Sequence, residues 1–271
     1  LARKRIKAIV SGAAGRMGTE LVKAIAASSD FELACALEQN GHRLLGQDAG
    51  TVAGVKALGV PLAAEDEFAD CEADVLIEFT FPAPTLAHLK IASGMKLPAV
   101  VGSTGFSAGQ KAELKKFARK IPVLFSPNMS AGVNLLFALA KKSAQILGQG
   151  YDLEVVEAHH RMKQDAPSGT ALKLAESLAE GRGWELSEVA CFHREGKTGP
   201  RPEKQIGIQT IRGGDIIGEH TAILAATGER IELTHRASSR QTFAQGALRA
   251  AAWILDKPPG LYSMGDCLGI E

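Results

Sequence analysis

The opening strand, turn and helix constrain the fold of this chain more than any other feature. Residues 6–11 form a short apolar run, the turn GAAGRMG follows at once, and helical period begins at Met17. A strand feeding a helix in this way returns through a crossover to a parallel neighbour, right-handed in nearly all cases. The alternation continues, since residues 31–38, 74–80, 99–102 and 123–126 read as strands and residues 17–27, 83–93 and 108–119 as helices. Pro82 and Pro84 fall at a helix start, where the missing N–H of proline is tolerated. The expected class is α/β, with a Rossmann-like, doubly wound parallel sheet over residues 1–130.

After Asn128 the pattern changes. Residues 133–147 and 170–179 read as helices and 152–158 as a strand, whereas 185–204 is polar, contains Gly196, Gly199, Pro200 and Pro202, and reads as a loop. Residues 206–212, 216–225 and 230–235 then read as strands joined at Gly213-Gly214 and Thr227-Gly228, a small and largely antiparallel sheet. A smaller α+β domain is expected over residues 131–238, and residues 239–271, with a helix at 242–255, are expected to return to the first domain. No internal repeat interrupts this plan.

Composition narrows the function. A chain of 271 residues, 45% hydrophobic and 23% charged, can bury two cores without metals or disulfides. A net charge of +1 provides no broad attraction to nucleic acid or an anionic membrane, and 5% aromatic residues do not make a base-stacking platform. The basic stretch at residues 1–7 reads as a solvated terminus. No apolar run approaches the roughly 20 residues of a membrane span, so a cytoplasmic protein is expected. Cys35, Cys71, Cys191 and Cys267 show neither CxxC nor zinc spacing; reduced, mostly structural thiols and no metal are expected.

Gly12, Gly15 and Gly18 punctuate the first turn, and small residues there admit a dinucleotide pyrophosphate to the amides of a helix N-terminus. Arg16 can add a charge. The next strand ends in Glu38, placed to accept hydrogen bonds from adenosine ribose hydroxyls. Gln39 follows where an arginine would best meet a 2′-phosphate, so NADH is expected to serve at least as well as NADPH. Further strand ends carry Phe79-Thr80, Gly102-Ser103-Thr104-Gly105 and Ser126-Pro127-Asn128-Met129, and such ends line the ligand crevice of a doubly wound sheet.

The densest chemistry lies in EAHHRMKQDAPSGTA, residues 157–171, after a strand and before a helix. Two adjacent histidines at a strand end allow one to perform acid chemistry and the other to contact substrate. Ser168-Gly169-Thr170 begins a helix, where amides and hydroxyls suit a carboxylate, which implies an acidic substrate. Lys163 can donate a proton or neutralise charge beside it.

This segment closely resembles the catalytic motif of the 4-hydroxy-tetrahydrodipicolinate (dihydrodipicolinate) reductase family. GAAGRMG, Glu38, the GSTG turn, SPNMSAGVN and RGGDIIGEHT are also similar to their family counterparts, so the resemblance spans nearly the whole chain. It implies a substrate domain that closes over the nucleotide domain, and a homotetramer assembled through the substrate-domain sheets. It implies His159 as proton donor or acceptor, Lys163 as proton donor, and His160, Gly169 and Thr170, beside Ser168, as substrate contacts. It assigns the cofactor, NADH or NADPH, to Gly12, Ala13, Ala14, Gly15, Arg16, Met17, Glu38, Gly102, Ser103, Thr104, Ser126, Pro127, Asn128 and Met129. The implied reaction reduces the cyclic dicarboxylate 4-hydroxy-tetrahydrodipicolinate to tetrahydrodipicolinate with loss of water, in lysine and diaminopimelate biosynthesis. The departure is Gln39, where some relatives carry an arginine.

Overall fold

The computed structural model describes residues 4–270, so residues 1–3 of the basic start lie outside the described residues. Two compact units divide the chain: one runs to Ser130 and resumes over Arg240–Gly269, and the other comprises Ala131–Ser239.

The first unit opens with β1 (Ile6–Ser11), α1 (Arg16–Ala26), β2 (Phe31–Glu38), α2 (Ala49–Ala53), β3 (Leu62–Ala64) and a 3₁₀ turn at Glu65–Asp70. It continues through β4 (Val75–Glu78), α3 (Pro82–Met95), β5 (Ala99–Val101), α4 (Ala108–Ala118) and β6 (Pro122–Phe125). The second unit contains α5 (Ala131–Leu147), β7 (Asp152–His159), α6 (Gly169–Arg182), α7 (Leu186–Val189), β8 (Ala190–Cys191), β9 (Ile206–Arg212), β10 (Gly218–Ala226) and β11 (Glu229–Ala237). The chain then rejoins the first unit with α8 (Gln241–Ile254), β12 (Gly260–Tyr262) and α9 (Met264–Leu268).

In the first unit the sheet order is β12-β6-β5-β4-β1-β2-β3, with every pairing parallel. Strand order reverses beside β1, which opens a crevice above the carboxyl ends of β1 and β4. Both faces are covered, as parallel strands require. Ala8 and Val10 share a core with Leu21, Val22 and Ile25 of α1 and Ala247 and Ile254 of α8. Ile9 points the other way, into a core with Leu76, Leu89 and Leu114. Each buried leucine or isoleucine contributes about 1.5–3 kcal/mol, which explains why these strands read as continuous apolar runs. β12 and α9 were not legible in the sequence; three residues of strand at a sheet edge carry too little periodic signal.

The second sheet runs β11-β10-β7-β9-β8. Only its β11-β10-β7 side is antiparallel, because β9 pairs parallel with both β7 and β8, so the sheet is mixed rather than largely antiparallel. α6 supplies the crossover between β7 and β9, and Leu174, Ala175 and Leu178 of α6 cover Leu153, Val155, Ile206 and Ile208. The polar stretch at 185–204 contains α7 and the two-residue β8, elements too short to show in hydropathy.

The expectation of reduced thiols fails for one pair: Cys35 and Cys71 are joined by a disulfide, while Cys191 and Cys267 are free. Although 36 residues apart, the two are brought to a Cα separation of 6.1 Å by β2 and the chain leaving the 3₁₀ turn. Spacing along the chain carries no information about such proximity. Among the described residues, no helix is long and apolar enough to cross a membrane.

Candidate active site

A cavity of ≈ 680 Å³ opens over the crevice of the first unit. Its floor is the turn from β1 to α1. Gly15 is the N-cap of α1 and provides no side-chain cap, so the first-turn amides are left for an anion. Gly12 takes φ +73°, and its amide donates to Leu37 O at 2.9 Å. Gly18 is required by contact: a Cβ there would sit 2.0 Å from Gly12 O. Glu38 turns back to this loop, its Oε2 accepting from Ala14 N at 3.1 Å and its Oε1 from Gln39 N at 3.0 Å.

Under the cavity wall lies a buried polar group. Glu78 ends β4 wholly buried, with Oε2 2.7 Å from His88 Nδ1 and Oε1 accepting from Thr80 N at 3.0 Å. Glu65 Oε2 reaches His88 Nε2 at 3.3 Å. Burial pulls the His88 pKa down, and the two carboxylates outweigh it, leaving the imidazole pKa raised. Thr80, held by Glu78, is thereby a rigid part of the cavity wall.

The second unit gathers the other candidates. β7 ends in His159, and Ser168 caps α6 by accepting from Ala171 N at 3.1 Å. Register sets Thr210 and His220 opposite Glu157, and Arg212 opposite His159. His159 Nδ1 lies 2.5 Å from Glu157 Oε2, and Ser168 Oγ lies 3.1 Å from His220 Nε2. The His159 and His220 rings meet edge to face at 5.1 Å. Burial first, and then the neighbouring His159, hold the His220 pKa down to about 3. Lys163 Nζ pairs with Asp165 Oδ1 at 2.9 Å. Burial raises the Asp165 pKa, and the Lys163 ammonium overrides this to hold it below the usual carboxylate range. The loop carrying Lys163 is tied to the turn before β10 by Gly213 N to His159 O at 2.9 Å and Arg161 N to Gly214 O at 3.2 Å.

A strand-end histidine and lysine beside a capped helix start, in a chain with a dinucleotide-type crevice, can be compared with known enzymes. The model for the N-terminus of dihydrodipicolinate reductase matches residues 6–129, and that for its C-terminus matches residues 132–268. This chain belongs to the dihydrodipicolinate reductase family. A 4-hydroxy-tetrahydrodipicolinate reductase of Magnetococcus marinus is 51% identical over 266 residues, covering 98% of this chain and 99% of that protein. One from Anaeromyxobacter dehalogenans is 48% identical over 265 residues, 98% of each chain. The fold is shared with a dipicolinate-bound dihydrodipicolinate reductase from Paenisporosarcina, with TM-score 0.72, 24% identity, and coverage of 96% of this chain and 98% of that one. A myo-inositol dehydrogenase from Corynebacterium glutamicum also shares it, with TM-score 0.59 and 14% identity over 98% of this chain and 93% of that one, so the fold alone does not select the reaction.

Membership makes the chain an oxidoreductase acting on a small molecule, and its Rossmann-type unit supports a nicotinamide cofactor. Among the residues expected to hold that cofactor, Gly12, Gly15, Arg16, Met17, Glu38, Gly102, Ser103, Thr104, Pro127, Asn128 and Met129 line the cavity. Ala13, Ala14 and Ser126 are not among its lining residues. Ala13 is buried, the Ala14 amide holds Glu38, and Ser126 Oγ donates to Asn128 O at 2.7 Å. Sequence reasoning missed Ser11, Glu65, Phe81, Pro84, Arg240 and Phe243 as lining residues. Arg240 precedes a helix more than 100 residues beyond the last of the other lining segments, so no local pattern links it to the crevice. His159, Lys163 and Ser168 to Thr170 all lie in the second unit, and Glu157, Arg212 and His220 join them there without having been assigned roles from the sequence.

Proposed function

We propose that this reductase converts 4-hydroxy-tetrahydrodipicolinate to tetrahydrodipicolinate, with loss of water, in lysine and diaminopimelate biosynthesis. The single observation carrying this reading is the short loop that runs from His159, at the end of β7, through Lys163 to the Ser168-capped start of α6, joining candidate acid groups to a carboxylate site. When bound, a reduced nicotinamide would supply hydride chemistry at an electron-poor carbon of the substrate. The residues of the chain supply the proton and the grip. His159 gives or takes a proton on the atom where charge develops, and Lys163, its Nζ steered by Asp165, is the second donor. His160 and the Ser168-Gly169-Thr170 helix start bind the carboxylates of the substrate.

The uncapped amides of α1 and the close approach at Gly18 fit a pyrophosphate, so residues 12–17, Glu38, 102–104 and 126–129 hold the dinucleotide in this reading. Glu38, Gln39 and Glu65 all line that cavity, and two carboxylates oppose a 2′-phosphate. NADH is therefore used at least as well as NADPH. The reading includes a homotetramer, which rests on the family resemblance. Mass measured in solution tests that number.

Mixing the protein with freshly made 4-hydroxy-tetrahydrodipicolinate and either reduced nicotinamide, while following nicotinamide absorbance, tests the reaction. Substrate-dependent oxidation is expected with both cofactors. Its absence with both would overturn the reading, and a much higher kcat/KM with NADPH would overturn the cofactor preference.

A further inference from the structure

The stretch RGGDIIGEHT, residues 212–221, carries no step in the mechanism above, yet three of its residues surround His159. Arg212 ends β9 opposite His159, and β10 starts at Gly218 and brings His220 opposite Glu157. Side chains at paired and alternate positions share one face of a sheet, so Glu157, His159, Arg212 and His220 come together there.

Glu157 is the centre of this group. Its carboxylate is fully buried and accepts from Arg212 Nη1 at 2.9 Å and Nη2 at 2.8 Å, from Thr210 Oγ1 at 3.2 Å and from Ser168 N at 3.1 Å, besides its contact with His159 Nδ1. Burial pushes this carboxyl up, and the hydrogen bonds from His159, Arg212 and Ser168 more than reverse it, holding the group far below the usual carboxylate range. An ionised carboxylate only accepts, so the shared proton belongs on His159 Nδ1 and Nε2 is the nitrogen left to exchange with substrate. Nε2 faces Gly218, where even a methyl group would stand 3.1 Å away, so glycine keeps that side of the ring open.

We propose that Glu157 is a positioning residue of the reaction: it holds His159 in the Nδ1–H tautomer, directs proton exchange to Nε2, and ties the Ser168 helix cap to the same carboxylate. This rests on the assignment of His159 as the proton donor or acceptor. Arg212 is the counter-ion that makes a buried carboxylate tolerable. The other titratable or charged groups around the pair are Lys163 and Asp165 from the loop after β7, His220 from β10, and His235 opposite His220 on β11. None substitutes for Glu157, since Lys163 is engaged by Asp165 and His220 bonds Ser168 rather than His159.

The test compares wild type, Glu157→Gln, His159→Gln and the double variant in steady-state kinetics, with ¹⁵N spectra of labelled histidine. Glutamine keeps an acceptor for Ser168 N but adds a donor, so the tautomers of His159 are expected to mix. Glu157→Gln is expected to lower kcat about 10- to 100-fold, part of the 10²–10⁴ that general acid catalysis supplies, with KM changed less than about threefold. In the His159→Gln background the same substitution is expected to lower kcat less than about threefold, because its effect runs through the missing imidazole. Independent, multiplying losses would overturn the proposal, as would an unchanged tautomer or a near-wild-type kcat in Glu157→Gln. If Glu157→Gln does not fold, Glu157→Gln with Arg212→Gln removes the uncompensated buried charge and is judged by the same criteria. Wild-type turnover in His159→Gln alone would remove the site assignment itself, a result distinct from impaired His159→Gln with additive Glu157→Gln.

Discussion

Acidification is expected to loosen the second unit through His220. Buried and neutral when folded, this imidazole has its pKa moved from 6.5 down to about 3. Between those values the unfolded chain binds a proton that the folded chain refuses, so stability is present above pH 6.5 and falls as pH falls toward 3. At 1.36 kcal/mol per unit, bringing the protein from pH 7 to pH 5 removes about 2 kcal/mol through this one residue. His235 contributes in the same direction, since burial lowers its pKa. His88 in the first unit has the opposite sign: its raised pKa stabilises the folded state below its unfolded pKa, and that contribution fades as pH rises. His220→Gln isolates the term, because glutamine can still bond Ser168 Oγ but does not titrate. In a Trp253→Phe background, Trp184 alone reports on the second unit during urea unfolding. The stability difference between parent and His220→Gln is expected to shift by about 2 kcal/mol in favour of the variant between pH 7 and pH 5. Parallel stability curves over that interval would refute the reasoning.

His159→Gln is expected to lower kcat more than substrate affinity, whereas Lys163→Ala impairs both because charge and proton supply are lost together; near-wild-type kinetics for the two would sink the site assignment. Gly18→Ala forces a methyl group to within 2.0 Å of Gly12 O, and calorimetry is expected to show dinucleotide affinity reduced at least about tenfold, with about 1–3 kcal/mol of overpacking strain. Unchanged affinity would mean that this turn does not grip the pyrophosphate. Ser168→Ala removes the cap of α6 and is expected to cost about 1 kcal/mol in urea unfolding while raising KM for the substrate. A stability loss with unchanged KM would leave Ser168 as a cap alone.

Local physics made much of this protein readable in one dimension. Parallel strands buried on both faces need apolar side chains on both sides, as at residues 8–10 and 75–77, and a helix opening directly after a glycine turn must expose its amides, so the first sheet and its crevice could be read from the sequence. His159, Lys163 and the Ser168 cap were legible because they crowd into one short loop. What tertiary structure decided is everything set by register and crossover. Parallel pairing of β7 with β9 places Arg212 against His159, antiparallel pairing with β10 places His220 against Glu157, and the chain around β2 brings Cys35 to Cys71. Hydropathy reports which side of a strand is buried and is silent about which residue of another strand stands opposite. The acid loop was thus visible from the start, while the buried carboxylate beneath it became visible only once three strands had been aligned.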